Sequence, residues 1–159
     1  MLHCRRLGCL LIFWFMLSFP AAGAEGPARE LSDATLARLA KGFDELSQNH
    51  LAAAQEEFAK VIREDFDNPF ANNNLAVIME KQGKLTDALA YLKVAATFAG
   101  AYYQKVETIY LIGGVLAAVR PEKATAERSQ IAQVIADNRR KLTEKMGLAA
   151  DESMPAAEK

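Results

Sequence analysis

The feature that most constrains the fold is a pattern of small and large apolar residues that recurs 34 positions along the chain. When the sequence is shifted by this distance, QNHLAAAQEEF (Gln48–Phe58) aligns with QGKLTDALAYL (Gln82–Leu92). Glutamine then meets glutamine, leucine meets leucine, alanine meets alanine, and Phe58 meets Leu92. A period of about 34 residues is a length typical of repeated helix–turn–helix units. The pattern therefore predicts stacked helical hairpins.

Apolar residues at helical spacing fill most of the segment 33–147, and no run of residues alternates in the manner of a strand. Ser32 or Asp33 is placed to cap the first helix. Pro69 stops the second helix, because the residue before a proline disfavours the helical conformation. The third and fourth helices are predicted at Phe70–Gln82 and Leu85–Phe98.

These two hairpins resemble tetratricopeptide repeats, a family whose units carry small residues on both helices and an Ala-x3-Phe motif. The matching positions are Gly42, Ala54 and Phe58 in the first unit and Leu75, Ala76, Met79, Gly83, Ala88 and Leu92 in the second. Antiparallel helices approach closely only where small side chains lie at their crossing and large ones fill the space beside it. We therefore expect the small residues to be packing contacts.

Three positions depart from the family pattern. Asn72 stands where the family prefers tryptophan, Glu45 stands where it prefers tyrosine, and the closing proline of the first unit comes late, at Pro69. An unrelated four- or six-helix bundle is the alternative to the repeat interpretation.

A third, less regular hairpin is predicted from a helix at Tyr102–Val119 and a long last helix at Pro121–Met146. The first of these contains IYLIGGVLAAV (Ile109–Val119), which is too short to span a bilayer and is interpreted as a core helix. The expected fold class is therefore all-α: about six helices stacked as a short right-handed, tetratricopeptide-like solenoid over residues 33–147. The last helix would shield the end of the stack.

The two ends of the chain are expected to lie outside this domain. Residues 1–24 combine Arg5 and Arg6, an apolar run at Leu7–Phe19 and a small-residue cleavage pattern ending at Ala24, which is the form of a secretory signal peptide. Cleavage after Ala24 predicts a periplasmic or secreted protein; an uncleaved N-terminal membrane anchor is the alternative. Residues 25–32 are expected to be a flexible leader, and residues 148–159 a disordered tail.

Removal of residues 1–24 would take away both cysteines and leave 17 basic against 20 acidic residues, with His50 as the single histidine. Without a basic stripe, nucleic acid is not an expected partner. A lone histidine in a turn lacks a second metal ligand, and the carboxylates do not have the spacing of a calcium loop. We therefore expect no enzymatic activity, no cofactor and no metal site.

The resemblance implies a concave surface lined by the first helix of each unit. Phe43, Val77 and Leu111 recur at intervals of 34 and follow packing positions by one residue, which rotates them by about 100° towards this surface. Asn73 lies one turn before Val77. Asn74 matches an asparagine that family members often use to bond the backbone of a bound peptide. These five residues form the expected partner-binding site.

The expected function is that of an exported adaptor or scaffold that binds a protein segment in this apolar groove. The groove can instead be covered by the last helix of the same chain or by a second copy, and both readings stay open. The alternative function is a structural subunit of a homo- or hetero-oligomeric envelope complex. In that case membrane contact would run only through residues 1–24.

Overall fold

The computed structural model describes residues 29–102, 104–124 and 129–148. Its first part consists of two helix–turn–helix hairpins, formed by α1 (Asp33–Ser47) with α2 (Leu51–Glu64) and by α3 (Pro69–Lys81) with α4 (Leu85–Phe98). The predicted signal peptide lies outside the described residues, as does the predicted tail after residue 148.

The 34-residue period of the sequence reappears in the helix boundaries. α2 and α4 both span 14 residues and begin 34 positions apart, at Leu51 and Leu85. The turns before them also match, because Asn49 (φ 64°) and Gly83 (φ 76°) occupy equivalent positions in the left-handed region. Glycine and asparagine adopt this conformation more readily than other residues, which is why they end helices so often.

Side-chain caps fix the starts of the first helices of both hairpins. The Ser32 hydroxyl accepts a hydrogen bond from the Thr35 N–H (3.1 Å), and the Asn68 amide oxygen accepts one from the Ala71 N–H (3.0 Å). Pro69 occupies the first turn of α3, where its missing N–H would have no helical partner. The predicted start of the first helix is confirmed, and Pro69 proves to begin α3.

The small residues of the first hairpin lie where its helices meet. Gly42 of α1 is buried, and a Cβ atom added there would lie 2.7 Å from Cε1 of Phe58 on α2. Ala54, Ala76 and Ala88 are completely buried. The interpretation of these residues as packing contacts agrees with their positions.

The third hairpin is not helical, and the predicted helix at Tyr102–Val119 is wrong. After a 3₁₀ turn at Ala99–Ala101, the chain forms β1 (Gln104–Leu111) and β2 (Ala117–Ala124), which pair antiparallel. Gly113 (φ 64°) supplies the left-handed residue in the connection. The predicted last helix is shortened to α5 (Ile131–Lys145), because Pro121 lies within β2. The described chain is therefore mostly helical, with one two-stranded sheet.

Helix α3 lies at the centre of the molecule. Every residue from Pro69 to Glu80 is buried, because α3 contacts α2 and α4 as well as α1, β2 and α5. Strand β2 contacts both α1 and α3, the first helices of the two hairpins. The β-hairpin therefore occupies the surface on which the groove was predicted.

Residues 29–32 of the predicted flexible leader are held against the domain. The Arg29 guanidinium donates to both carboxylate oxygens of Asp67 (2.7 and 2.8 Å) and to Asp65 (2.8 Å), and it lies over the ring of Tyr102. The Arg29 N–H also donates to the Ala101 carbonyl (2.7 Å). Together these contacts tie the start of the domain to the loops after α2 and α4.

Candidate functional site

The five predicted groove residues do not form one open surface. Phe43, Asn73, Asn74 and Val77 are 6%, 0%, 0% and 1% exposed, and the helices that carry them, α1 and α3, both contact strand β2 of the same chain. Leu111 is 56% exposed and lies on β1, not on a helix, so its predicted register with the other four is wrong. The groove is thus covered by its own chain, by strand β2 and also by the last helix, whose Asn138 donates to the Asn73 side-chain oxygen.

Asn74 holds the backbone of β2 at one residue. Its amide nitrogen donates to the Val119 carbonyl (2.7 Å), and its amide oxygen accepts from the Val119 N–H (2.8 Å). Both Asn74 and Val119 are buried. A buried polar group costs about 1–3 kcal/mol when it lacks a partner, so the two residues satisfy each other's buried hydrogen-bonding groups.

A second asparagine pair holds β2 at Ala117. The Asn138 amide of α5 accepts from the Ala117 N–H (2.8 Å) and donates to the Ala117 carbonyl (2.8 Å) and to the Asn73 side-chain oxygen (2.8 Å). Asn73 also donates to the Ala117 carbonyl (3.0 Å). Three asparagines from two helices therefore bind only main-chain atoms of the strand.

Glu80 fixes the connection between the two strands. Its buried carboxylate accepts hydrogen bonds from the Val115 N–H (3.0 Å) and the Leu116 N–H (3.1 Å), and Lys145 of α5 contacts it at 2.7 Å. Burial by itself raises the pKa of Glu80, but these hydrogen bonds outweigh it and hold the pKa below its ordinary value. At neutral pH the turn is therefore bound by an ionised group.

The hydrogen bonds of β2 determine which way the backbone of β1 faces. In an antiparallel pair, two opposed residues either bond each other or both point away. Val119 is opposite Ile109, and Ala117 is opposite Leu111. The N–H and C=O groups of both β2 residues form hydrogen bonds with asparagine side chains. The N–H and C=O groups of Ile109 and Leu111 therefore point away from β2, along the outer edge of β1.

This outer edge is apolar and exposed. Ile109, Tyr110 and Leu111 are 53%, 48% and 56% exposed, and Val115 of the following turn is 36% exposed. Within the described part of the chain the sheet has only two strands, so no third strand covers β1. Natural proteins usually protect such edges with charges, prolines or covering segments, because an exposed edge pairs readily with another chain. We call Thr108–Leu111 the β1 edge.

A second concavity lies between α2 and α4, above a different face of α3. It has a volume of about 520 Å³, and its walls include the apolar side chains of Ile62, Tyr91 and Val94. Lys84 and Asp87 are the charged side chains that line it. This hollow is open to solvent and brings together no set of groups suited to a particular ligand.

Metal-ligating side chains are scattered over the described part of the chain. No three His, Cys, Asp or Glu side chains among them come together in a way that could hold a metal ion. His50 contacts the carboxylate of Glu45 (2.9 Å) at the surface. None of the helices in the described ranges has both the length and the apolar character of a membrane span.

Sequence reasoning missed the strands, Asn138 and Glu80. The segment Thr108–Leu111 carries β-branched and aromatic residues, which favour strands, and Gly113-Gly114 follows at the position of a turn. These signals compete with the helical periodicity of the same apolar run, which a short segment cannot resolve. Glu80 and Asn138 read as polar positions on helices, and nothing local indicates that they bind a distant strand.

No family model matches this chain, no curated protein matches it, and no solved structure matches it.

Proposed function

We propose that this chain is a protein-interaction module, an adaptor without chemistry of its own, which joins another polypeptide through the β1 edge. The observation that carries the proposal is that the helices bind one side of the β-hairpin and leave the backbone of its other strand facing outward. Asparagines hold β2 on one side and Glu80 holds the connection before it, while β1 presents outward-facing N–H and C=O groups beside exposed apolar side chains. An extended segment that adds to such an edge gains main-chain hydrogen bonds as well as apolar contacts.

The repeat character of the helices supports an interaction role. Helix boundaries that recur after 34 residues, with matching left-handed turns at Asn49 and Gly83, are what a pair of tetratricopeptide-like units requires. We propose that α1–α4 form two such units and that the β-hairpin with α5 replaces a third. Repeat stacks of this kind serve mainly as scaffolds for other proteins.

The groove remains a second candidate site. The hydrogen bonds that Asn73, Asn74 and Asn138 make to β2 all go to main-chain atoms, so a different extended segment could satisfy the same amides if the hairpin were displaced. Binding in the groove would then require displacement of β2, whereas binding at the β1 edge requires no rearrangement. This difference is why the edge is the first choice.

Export is part of the proposal and rests on the signal-like residues 1–24. An exported module whose described part is stabilised by packing and polar contacts would meet its partner in the envelope or outside the cell. The alternative, a structural subunit of an oligomeric envelope complex, uses the same edge, because subunits joined by strand addition would contact each other there.

Site-specific photo-crosslinking in cells tests the edge. A benzoylphenylalanine placed at Leu111 is expected to form crosslinked adducts. The same probe at Phe66, which is 70% exposed in the loop after α2, is the matched control. Ile109→Pro removes the outward N–H that a paired segment would bond, so it should suppress the adducts from position 111. The variant should still fold, because proline is tolerated on edge strands whose N–H faces solvent.

Ile109→Val keeps the N–H and an apolar side chain, so its adducts should match those of the unchanged chain. Circular dichroism must show that each variant retains its helical content. The proposal would be overturned if only the probe at Phe66 formed adducts. It would also be overturned if the probe at Leu111 still formed adducts in the folded Ile109→Pro variant.

A further inference from the structure

The β1 edge is regular only over a short stretch. The pairing of β1 with β2 shifts between Gln104 and Val106 and again between Val106 and Thr108, whereas Thr108–Leu111 pairs residue for residue with Ala117–Arg120. Shifts of this kind twist a strand and disrupt its ladder. Only Ile109 and Leu111 therefore present outward N–H and C=O groups in unbroken alternation.

We propose that the polypeptide joined at this edge is a second copy of the same chain. Strand β1 of the second copy pairs antiparallel with β1 of the first copy. This rests on the proposed function and names its partner. Ile109 of each copy bonds Leu111 of the other, so four hydrogen bonds form around a two-fold axis through Tyr110. The two hairpins then become one four-stranded sheet.

The direction of the backbone groups restricts the register. A pairing that placed Ile109 opposite Tyr110 would set an outward-facing residue against one that faces β2, and the bonds could not form. Pairing Ile109 with Ile109 would place residue 107, at the irregular part of β1, in the next bonded position. Pairing Ile109 with Leu111 uses only regular positions, so it is the register that the strand geometry favours.

The same register suits the side chains. It places Tyr110 directly opposite its counterpart, at a non-bonded position where cross-strand side chains approach most closely and aromatic pairs are favourable. Thr108–Leu111 carries no charged residue, and the net charge is −1 for the full sequence and −3 (17 basic against 20 acidic residues) without residues 1–24, so two copies meet without strong repulsion. An interface related by a two-fold axis needs one self-complementary patch, which this edge supplies.

The exposed area indicates a weak dimer. Four side chains that are 36–56% exposed offer a few hundred Å² per copy, below the roughly 800 Å² per partner of a standard stable interface. Association also costs translational and rotational freedom, which a small interface offsets only in part. We expect a dimer with a Kd on the order of 10–100 μM.

Analytical ultracentrifugation across concentrations tests the association. The protein is expressed from the full 159-residue sequence, purified in the form that the host delivers, and its N-terminus is read by mass spectrometry. The unchanged chain and Ile109→Val should pass from monomer to dimer as concentration rises. Ile109→Pro should stay monomeric throughout. Ile109→Lys, which keeps the backbone N–H and adds a charge, repeats the test if the proline variant unfolds.

Cysteine variants test the register, in a background with Cys4→Ser and Cys9→Ser. In the proposed register, Tyr110→Cys places two Cα atoms about 4.5 Å apart, which a disulfide can bridge. Thr108→Cys lies on the same face of the strand but about 14 Å from its counterpart, so it is the matched control. We expect Tyr110→Cys to form covalent dimers at least ten-fold faster than Thr108→Cys on mild oxidation.

The outcomes separate this inference from the proposed function. A native chain that stays monomeric at every concentration overturns the inference, as does a dimer that persists in folded Ile109→Pro or Ile109→Lys. Equal crosslinking rates for the two cysteine variants would also overturn it. If the chain is monomeric but Leu111 crosslinks a different protein in cells, the inference fails and the proposed function stands. If Leu111 crosslinks nothing, both fail.

Discussion

Asn74 and Val119 lie 45 positions apart in the sequence and exchange two hydrogen bonds in the buried interior. The side chain of a helix residue thus makes with one residue of β2 the two hydrogen bonds that a neighbouring strand would otherwise make. Because the N–H and C=O of Val119 face Asn74, those of Ile109 on the opposite strand face outward. This amide side chain, together with Asn73, Asn138 and Glu80, attaches the hairpin to the helices, and it accounts for the outward direction of the Ile109 backbone groups.

Asn74→Ala should destabilise the chain by about 2–4 kcal/mol, because it leaves both the N–H and the C=O of Val119 buried without partners. Urea unfolding followed by far-ultraviolet circular dichroism measures the change. Native-state hydrogen exchange should show the Val119 amide losing protection. The control is Gln82→Ala, an exposed amide, which should change stability by less than about 0.5 kcal/mol. Equal losses in the two variants would contradict the role of Asn74.

Gly114→Ala should destabilise the turn between the strands. A Cβ atom at this position would lie 2.6 Å from Oε2 of Glu80, which two backbone N–H groups and Lys145 hold in place. We expect a loss of about 1–3 kcal/mol in unfolding free energy, the usual cost of overpacking. Gly100→Ala is the matched control, because a Cβ atom there meets nothing within 4 Å. If Gly114→Ala left the unfolding free energy unchanged, this would show that the Glu80 carboxylate can move aside.

Acid should weaken the chain in part through Glu80. Its pKa is lowered in the folded state, so its stabilising contribution is complete above its ordinary pKa of 4.5 and is lost as the pH falls through the lower folded value. Glu80→Gln removes this contribution. The variant should therefore be less stable at pH 7, and the gap to the unchanged chain should narrow as the pH falls from 5 towards about 3.

Urea unfolding at a series of pH values checks this expectation. Glu144→Gln is the control, since Glu144 pairs with Arg140 at the surface and such pairs contribute little. Some acid sensitivity should remain in Glu80→Gln, because Glu57 also has a lowered pKa, through hydrogen bonds from Lys41 and Lys60. A gap between Glu80→Gln and the unchanged chain that is constant with pH would argue against the ionised contact.

Gly42→Ala should destabilise the first helical hairpin although alanine is the better helix former. The gain in helix propensity is about 1 kcal/mol, but the added Cβ would lie 2.7 Å from the ring of the fully buried Phe58. We expect a net loss of about 1–2 kcal/mol. Combining it with Phe58→Leu should recover part of this loss. A double-mutant cycle on unfolding free energies measures the coupling, and additive effects would contradict the close contact.

Much of the helical part could be predicted from local sequence. The start of α1 at its serine cap, the start of α3 at Asn68-Pro69 and the turn at Gly83 all follow from residues within a few positions of each boundary. Local chemistry suffices there because capping, left-handed turns and the fixed φ of proline act on neighbouring residues.

The candidate site could be predicted only in part. The resemblance predicts that Asn74 bonds an extended backbone and that Asn73 flanks the groove; both bond an extended backbone, but it belongs to β2 of the same chain. Leu111 was placed on the groove by extending the 34-residue period into a segment that forms a strand. The period fails there because the pattern of small and large residues that defines it does not continue beyond α4.

The sequence by itself determined four helices, their boundaries and the small residues at their contacts, because helix formation depends on interactions within one or two turns. Only the tertiary structure decided that Gln104–Ala124 is a hairpin. Its apolar run is compatible with helix and strand alike. The buried amides of α3 and α5 resolve the choice. A helix in that place would bond its own backbone and leave the amide groups that now bond β2 unsatisfied, whereas an extended strand satisfies them.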